Sequence, residues 1–253
     1  MKTKNHLLLE LSNKGTVAFV FLLLLKSIAV MSQPTLDNSY PPITFQYQEI
    51  TGIGFDNTYN RRDNSDIIKV DNKYYIWYTR MDSPETAGYW GNIWYATSED
   101  EGYTWTEQGM ALDVGEPGHF DSHSVFTPNI LTFEGKYYLY YTGVKPTPGR
   151  SDNQFENNST NDITAIGLAV ADHPSGPFKR TKRNPVLEIS KTAEDFDSYR
   201  IDDASLLVKN HKVWLYYKGR SIIHGTKGPG LTKMNVAFAK KPEGRFRKNE
   251  TPI

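Results

Sequence analysis

The sequence predicts an all-β propeller of four-stranded blades, three of them present where five are expected. Three observations carry this: a hairpin motif that recurs three times, a turn of the form Ser-x-Asp-x-Gly-x-Thr-Trp, and no amphipathic helix of ordinary length after residue 33.

The hairpins are Ser65 to Thr79, Pro128 to Thr142 and Ser205 to Lys218. Each is a short strand, a turn with Asp, Gly or Asn, and an aromatic strand ending in Trp77-Tyr78, Tyr140-Tyr141 or Tyr216-Tyr217. A third apolar strand follows in each unit, at Asn92 to Thr97, Ala165 to Ala171 and Lys233 to Ala239. A turn and a short strand complete it, at Ser98 to Glu107, Asp172 to Arg180 and Lys240 to Lys248. The matching lysines Lys73, Lys136 and Lys212 are 63 and 76 residues apart. Four strands per unit make a blade, with blades at about 63–110, 121–187 and 200–250 of the domain 33–253. An irregular β-sandwich of similar hairpins is the alternative.

Ser98-Glu99-Asp100-Glu101-Gly102-Tyr103-Thr104-Trp105 matches the Asp-box turn found in sialidases and other propellers. Its Ser and Asp stabilise the turn and its Gly accepts positive φ. The motif supports the fold and not a sialidase activity, which needs an arginine cluster and a nucleophilic tyrosine.

Ahead of the repeats, Lys2, Lys4 and Lys14 precede the apolar run Val17 to Leu25, and Ala29, Val30 and Ser32 follow. A spanning helix needs roughly 20 apolar residues, so residues 1–32 read as a cleaved signal peptide of an exported, periplasmic or extracellular protein, with an uncleaved anchor as the alternative. Cysteine is absent, which excludes a disulfide framework, a thiolate metal site and a lipoprotein anchor. The 29 Lys and Arg balance the 29 Asp and Glu, so net charge gives no argument for nucleic acid or an anionic membrane as partner. The 16 Tyr, 12 Phe and 5 Trp suit strands and stacking on sugar rings.

Propellers close with roughly four to eight blades. A five-bladed ring needs on the order of 350 residues, so the chain reads as C-terminally truncated. Ile43 to Ile50 is a candidate outer strand for the last blade.

Chemistry on such a fold is expected at one mouth of the central channel, where the innermost strands begin. Asp63-Asn64-Ser65 and Asp203-Ala204-Ser205 hold equivalent positions there, beside Arg61, Arg62 and Arg200. Two carboxylates converging on a channel suit glycoside hydrolysis; a lone Asp before a strand is more often a turn former.

Several runs then resemble glycoside hydrolase family 117: Arg61-Arg62-Asp63, Gly88-Tyr89-Trp90-Gly91, Gly115-Glu116-Pro117 with Phe120 to Asn129, Gly143 to Gly149, Phe155 to Asp162, Asp202 to Ser205, and Tyr216 to Arg220 with His224-Gly225. Together they cover nearly all of residues 52–247. The family is similar to the family 43 arabinosidases and xylosidases. The resemblance implies exo-hydrolysis, with inversion, of the α-1,3 bond of 3,6-anhydro-L-galactose in neoagarobiose and related agar oligosaccharides. It implies Asp63 as general base and Asp203 as second carboxylate, with Asp202 the lesser choice, and a general acid in a later blade that this chain lacks. Relatives dimerise through an N-terminal helix with an S-x-A-x-x-R motif, and neither stands between Gln33 and Thr51. A homodimer is thus expected for full-length relatives.

Trp90, Asp121, His123, Thr127, Asn158, Thr160, Lys218, Arg220 and His224 are the candidate sugar contacts, with rim, turn or core roles as the alternatives. The sequence defines no certain cofactor. His119, Asp121 and His123 have a spacing that could hold a metal, and a divalent cation near the carboxylates is left open. The competing functions are a family 43-like arabinosidase or xylosidase and a non-catalytic carbohydrate-binding propeller fragment.

Overall fold

The computed structural model describes residues 44–82, 91–145, 163–221 and 231–253. The expected signal peptide at 1–32 and the candidate contacts Trp90, Asn158, Thr160 and His224 lie outside these residues. Every strand below belongs to the compact unit Gln48–Ile253.

The described residues form three antiparallel sheets and no helix. The first contains β1 (Asn60–Arg62), β2 (Ile68–Val70), β3 (Lys73–Met81), β4 (Asn92–Ser98) and β5 (Thr106–Leu112). β1 and β2 are two halves of one interrupted strand, since Arg62 pairs with Thr79 and Ile68 with Tyr75 on the same partner β3. The second sheet contains β6 (Ser124–Phe133), β7 (Lys136–Lys145), β8 (Ile163–Ala171), β9 (Lys179–Arg180) and β10 (Leu187–Glu188). Here the outermost strand is interrupted: β9 and β10 both pair with β8, and between them Asn184 takes the place of a ladder residue. Its side chain accepts from Leu168 N–H and donates to Leu168 O, at 2.9 and 3.1 Å. The third is β11 (Arg200–Lys209), β12 (Lys212–Arg220), β13 (Lys233–Ala239) and β14 (Arg247–Lys248) in that order. Each sheet is therefore a meander of four strands in sequence order, which is the architecture of a propeller blade.

The blades stack in chain order. Tyr75, Trp77 and Ile93 of the first pack on Val125, Leu139 and Tyr141 of the second. Tyr138, Tyr140, Ile166 and Leu168, from the other face of that sheet, pack on Ile201, Leu215 and Tyr217 of the third. β7 is buried on both faces, which explains why Tyr138 to Tyr141 is a continuous apolar run and not an alternating one. The first strands β6 and β11 lie against each other, and β6 also lies against β3, so the strand starts of successive blades are neighbours.

The Asp-box turn has the expected geometry. Ser98 Oγ accepts from Gly102 N–H at 3.0 Å, Asp100 Oδ1 accepts from Thr104 N–H at 2.8 Å, and Gly102 has φ 91°. Trp105 is buried beneath the turn, its indole N–H donating to Gly102 O at 2.8 Å.

One expectation is corrected. Residues 44–50 form no strand. The chain instead meets the first sheet at Thr51, whose N–H and C=O bond Tyr103 O and Trp105 N–H at 3.0 and 2.9 Å, beside the Asp-box turn. Gly52 follows at φ 95°, where an added Cβ would stand 1.7 Å from Trp105 O, so this junction admits only glycine.

Candidate active site

The first strand of every blade carries the same defect. Between Arg62 and Ile68, between Phe126 and Asn129, and between Asp202 and Ser205, the register slips against the second strand. The first residue of each bulge is left-handed: Asp63 at φ 52°, Thr127 at φ 46° and Asp203 at φ 56°. Bulges re-aim side chains, and left-handed non-glycine residues gather at functional sites. For Asp this conformation is tolerated; for the β-branched Thr127 it is a strained outlier.

The strain at Thr127 is held by bonds running from blade to blade. Thr127 N–H donates to Thr79 Oγ1 at 2.9 Å, and Asp203 N–H donates to Thr142 Oγ1 at 3.3 Å. Thr79 and Thr142 are equivalent second-strand residues, since Arg62 pairs with Thr79 and Phe126 with Thr142. A hydroxyl–hydroxyl bond of 2.6 Å between Thr127 and Thr142 completes a chain that registers the three bulges.

Asp63 and Asp203 are the carboxylates this device presents. Arg62 Nε donates to Asp63 Oδ2 at 2.8 Å. Lys218, the third blade's counterpart of Thr79 and Thr142, pairs with Asp203 Oδ2. Burial, then the adjacent charge of Asp202, raises the Asp203 carboxyl above its ordinary value against the opposing pull of Lys218, and Asp63 adds a further increment in the same direction. Burial lowers the Lys218 ammonium, but Asp202 and Asp203 outweigh it and hold the group above its usual value.

Asp202 has a different environment from Asp203. It is buried, 2.5 Å from Arg200 Nε and 3.5 Å from Lys218 Nζ, whereas the Asp203 side chain keeps 40% of its surface in solvent. The geometry therefore brings together Asp63, Thr127, Asp203 and Lys218. Arg220 is half-buried and donates from Nε to Thr232 Oγ1 at 2.9 Å. His123 is half-buried, its N–H bonded to Val144 O at 3.1 Å.

Asp121 requires correction as a sugar contact. Its side chain is wholly buried, accepting on Oδ2 from Tyr141 O–H at 2.8 Å and from Arg180 Nε at 2.7 Å. Phe120 stacks on Tyr141 at 6.1 Å, and Gly143 leaves the room: an added Cβ would stand 2.5 Å from Phe120 and 2.6 Å from Asp121. The third blade repeats the knot with Phe196, Asp197, Tyr217, Lys248 and Gly219. Sequence reasoning passed over it, although Phe-Asp-Ser recurs at 120–122 and 196–198, its Asp six residues before the left-handed position in the third blade as in the second.

The first blade solves the same problem differently. Its Phe55-Asp56 does not seat; Phe55 is 93% exposed. The place of Gly143 and Gly219 is taken by Arg80, clamped between the rings of Tyr59 and Trp94 at 3.4 and 3.7 Å. Tyr78 O–H donates instead to Glu107 Oε2 at 2.6 Å, and Arg61 and Arg80 pair with the same carboxylate. Burial favours the protonated form of Glu107, but the bonds from Arg61 and Tyr78 and the arginine charges prevail and lower it.

Among the described residues no three of His, Cys, Asp and Glu converge on a point that could hold a metal. Asp121 is spent on Tyr141 and Arg180, and Asp63 and Asp203 each face a cation, so these residues do not fit a divalent ion.

The raised Asp203 carboxyl has a measurable consequence. The folded chain binds this proton more tightly than the unfolded one, so stability falls as pH rises from the unfolded carboxylate range through the higher folded value, and stays lower above it. Asp203→Asn removes that loss and keeps a residue suited to the left-handed region. The variant should melt at or above the parent temperature at neutral pH, the difference vanishing below about pH 3. Thermal melting across pH checks this; a lower melting temperature at neutral pH would mean the bond to Lys218 outweighs the cost of charge.

Stacked four-stranded meanders with paired carboxylates at the starts of their first strands define the class of β-propeller glycoside hydrolases, and the comparisons agree. The model of glycosyl hydrolases family 43 matches residues 60–250, and the chain belongs to that family. The structure is similar to Zg3597, a family 117 glycoside hydrolase of the marine bacterium Zobellia galactanivorans, at TM-score 0.67 and 31% identity over 81% of this chain and 60% of that one. It shares its fold with a thermostable family-43 glycoside hydrolase at TM-score 0.53 and 17% identity, over 82% of this chain and 55% of that one. Xylosidase/arabinosidase 43A of Humicola insolens is 32% identical over 114 residues, 45% of this chain and 27% of that protein. The chain thus spans 60% of the length of Zg3597 and 27% of the Humicola enzyme.

Proposed function

We propose that the protein is an exported, exo-acting glycoside hydrolase that cleaves the α-1,3 bond of 3,6-anhydro-L-galactose in neoagaro-oligosaccharides with inversion. The observation that carries the reading is the placement of Asp63 and Asp203 in equivalent left-handed bulges, each facing a cation, with the charge of one felt by the other. Two such carboxylates can divide the work: Asp63 takes the proton of the attacking water, and Asp203 positions that water and the sugar. The likeness to a family 117 enzyme supports the choice of an agar-derived substrate. The proton for the leaving oxygen comes, in this reading, from a group other than this pair. Export rests on the basic and apolar character of residues 1–32.

The family 43 match and the Humicola relative favour a second reading, release of arabinose or xylose. Incubation with neoagarobiose, arabinan and xylan, with products followed by NMR, separates the two. Anhydrogalactose released in the inverted anomeric form is the expected result; pentose release alone would overturn it.

A further inference from the structure

At the opposite end of the blades from the two carboxylates, the second and third sheets carry basic grooves. The antiparallel register fixes the separation. Asp203 is near the start of β11, whereas Lys212 pairs with Lys209 at that strand's far end. Six residues of strand between Asp203 and Lys209 span roughly 20 Å.

The first groove, about 680 Å³, is lined by five basic side chains against Asp172 and Glu243. Two of the five are engaged, Lys136 with Asp172 at 2.6 Å and Arg180 with Asp121. Lys179, Lys182 and Arg183 make no ion pair among the described residues. The second groove, about 560 Å³, repeats this beside β14, with five basic side chains against Glu250 alone. Lys248 is held by Asp197, while Lys240, Arg245 and Arg247 have no ion pair among the described residues.

A single turn separates the grooves. The turn after β13 supplies Glu243 to one and Lys240 and Arg245 to the other, and is pinned to the second blade by Tyr140 O–H, which donates to Pro242 O at 2.8 Å. The charge is not a property of the repeat, since the same corner of the first blade is Glu99-Asp100-Glu101 with Lys73 already paired to Glu99 at 3.1 Å. Nor does it reflect a basic protein, because the net charge is zero. Unpaired cations have been gathered onto two adjoining grooves, each of a size that accepts a small ligand.

We propose that these grooves bind a sulfate-bearing galactan chain, which crosses the Pro242 turn and sets its anionic groups against Lys179, Lys182 and Arg183 on one side and Lys240, Arg245 and Arg247 on the other. Two grooves flanking one turn fit an extended polymer better than a lone anion. The choice of a sugar polymer among polyanions rests on the glycosidase reading; the grooves themselves do not. Bound there, the chain would hold the protein on charged galactan while the carboxylates stay free.

Affinity electrophoresis in gels containing ι-carrageenan, neutral agarose alone or double-stranded DNA tests this on the whole chain. Retardation by carrageenan, none by agarose, and at least about a tenfold weakening in Lys179→Gln/Lys182→Gln/Arg183→Gln are expected, with the same result for Lys240→Gln/Arg245→Gln/Arg247→Gln. About six contacted charges predict a fall in affinity on the order of 10²–10³-fold between roughly 50 and 200 mM NaCl. Both triple variants should keep the parent's melting temperature and its hydrolysis of neoagarobiose. Retardation of the triple variants equal to the parent's overturns the proposal, and so does equal retardation by DNA. A protein that binds carrageenan but cleaves no neoagarobiose overturns the functional reading and leaves this one standing.

Discussion

Replacing Asp63 by asparagine is expected to lower glycoside hydrolysis by about 10²–10⁴-fold while sugar binding stays within about tenfold of the parent. The left-handed backbone at φ 52° is what makes this substitution clean. Asparagine is among the few residues that tolerate that region, so the bulge should survive, whereas Asp63→Ala would confound the loss of the carboxylate with backbone strain. The amide keeps the size of the side chain and an oxygen to accept from Arg62 Nε, now 2.8 Å from Asp63 Oδ2, but cannot take a proton from water. Steady-state hydrolysis of neoagarobiose, with calorimetric binding of the same sugar, checks both halves. Retention of more than a few per cent of activity would mean that another group is the base. Loss of binding together with activity would assign Asp63 to holding the sugar.

Replacing Arg180 by methionine is expected to cost about 3–5 kcal/mol of stability, the usual penalty for leaving one half of a buried ion pair uncompensated. Asp121 has no solvent exposure, and its Oδ1 already lacks a hydrogen-bond partner, so it would depend on Tyr141 O–H alone. Methionine retains much of the apolar stem that runs past the Tyr141 ring, which confines the change to charge and bonding. In a chain of this size the midpoint should drop on the order of 10 °C. The double variant Arg180→Met with Asp121→Asn should recover part of the loss, because an amide is cheaper to bury than an unpaired carboxylate. A single variant melting within a degree or two of the parent would show that the pair is neutral and that Tyr141 suffices.

How much of this was legible beforehand depends on the range of the interaction. The hairpins were readable because their strands and turns are contiguous, and the Asp box because its bonds stay within eight residues. Asp63 and Asp203 could be matched because both precede a Ser two residues on, at the start of a repeat. Asp121 was misplaced for the converse reason. Its partners Tyr141 and Arg180 lie 20 and 59 residues away, and nothing local distinguishes a carboxylate that faces a channel from one sealed under a glycine. The cluster of Arg61, Arg80, Tyr78 and Glu107 was invisible for the same cause, since it replaces a local Phe-Asp motif with a distant glutamate. Residues 44–50 misled because an apolar, aromatic stretch looks like a strand whether or not an edge awaits it; here Phe45 and Tyr47 are more than 90% exposed.

The three left-handed bulges also restrict which residues can vary. A position near φ +50° admits few side chains at low cost: Gly, Asn, Asp and, less readily, His. Apart from glycine, these are the short polar groups that accept protons or bind hydroxyls. The backbone thereby filters substitutions at each first-strand start toward residues useful for acid–base or sugar chemistry, before any selection on catalysis acts. Specificity in such a scaffold can drift by exchange of single letters from a short alphabet, one per blade, while the sheets beneath stay unchanged. Thr127 is the one letter from outside that alphabet, and it is kept in place by hydroxyls on the first and second blades.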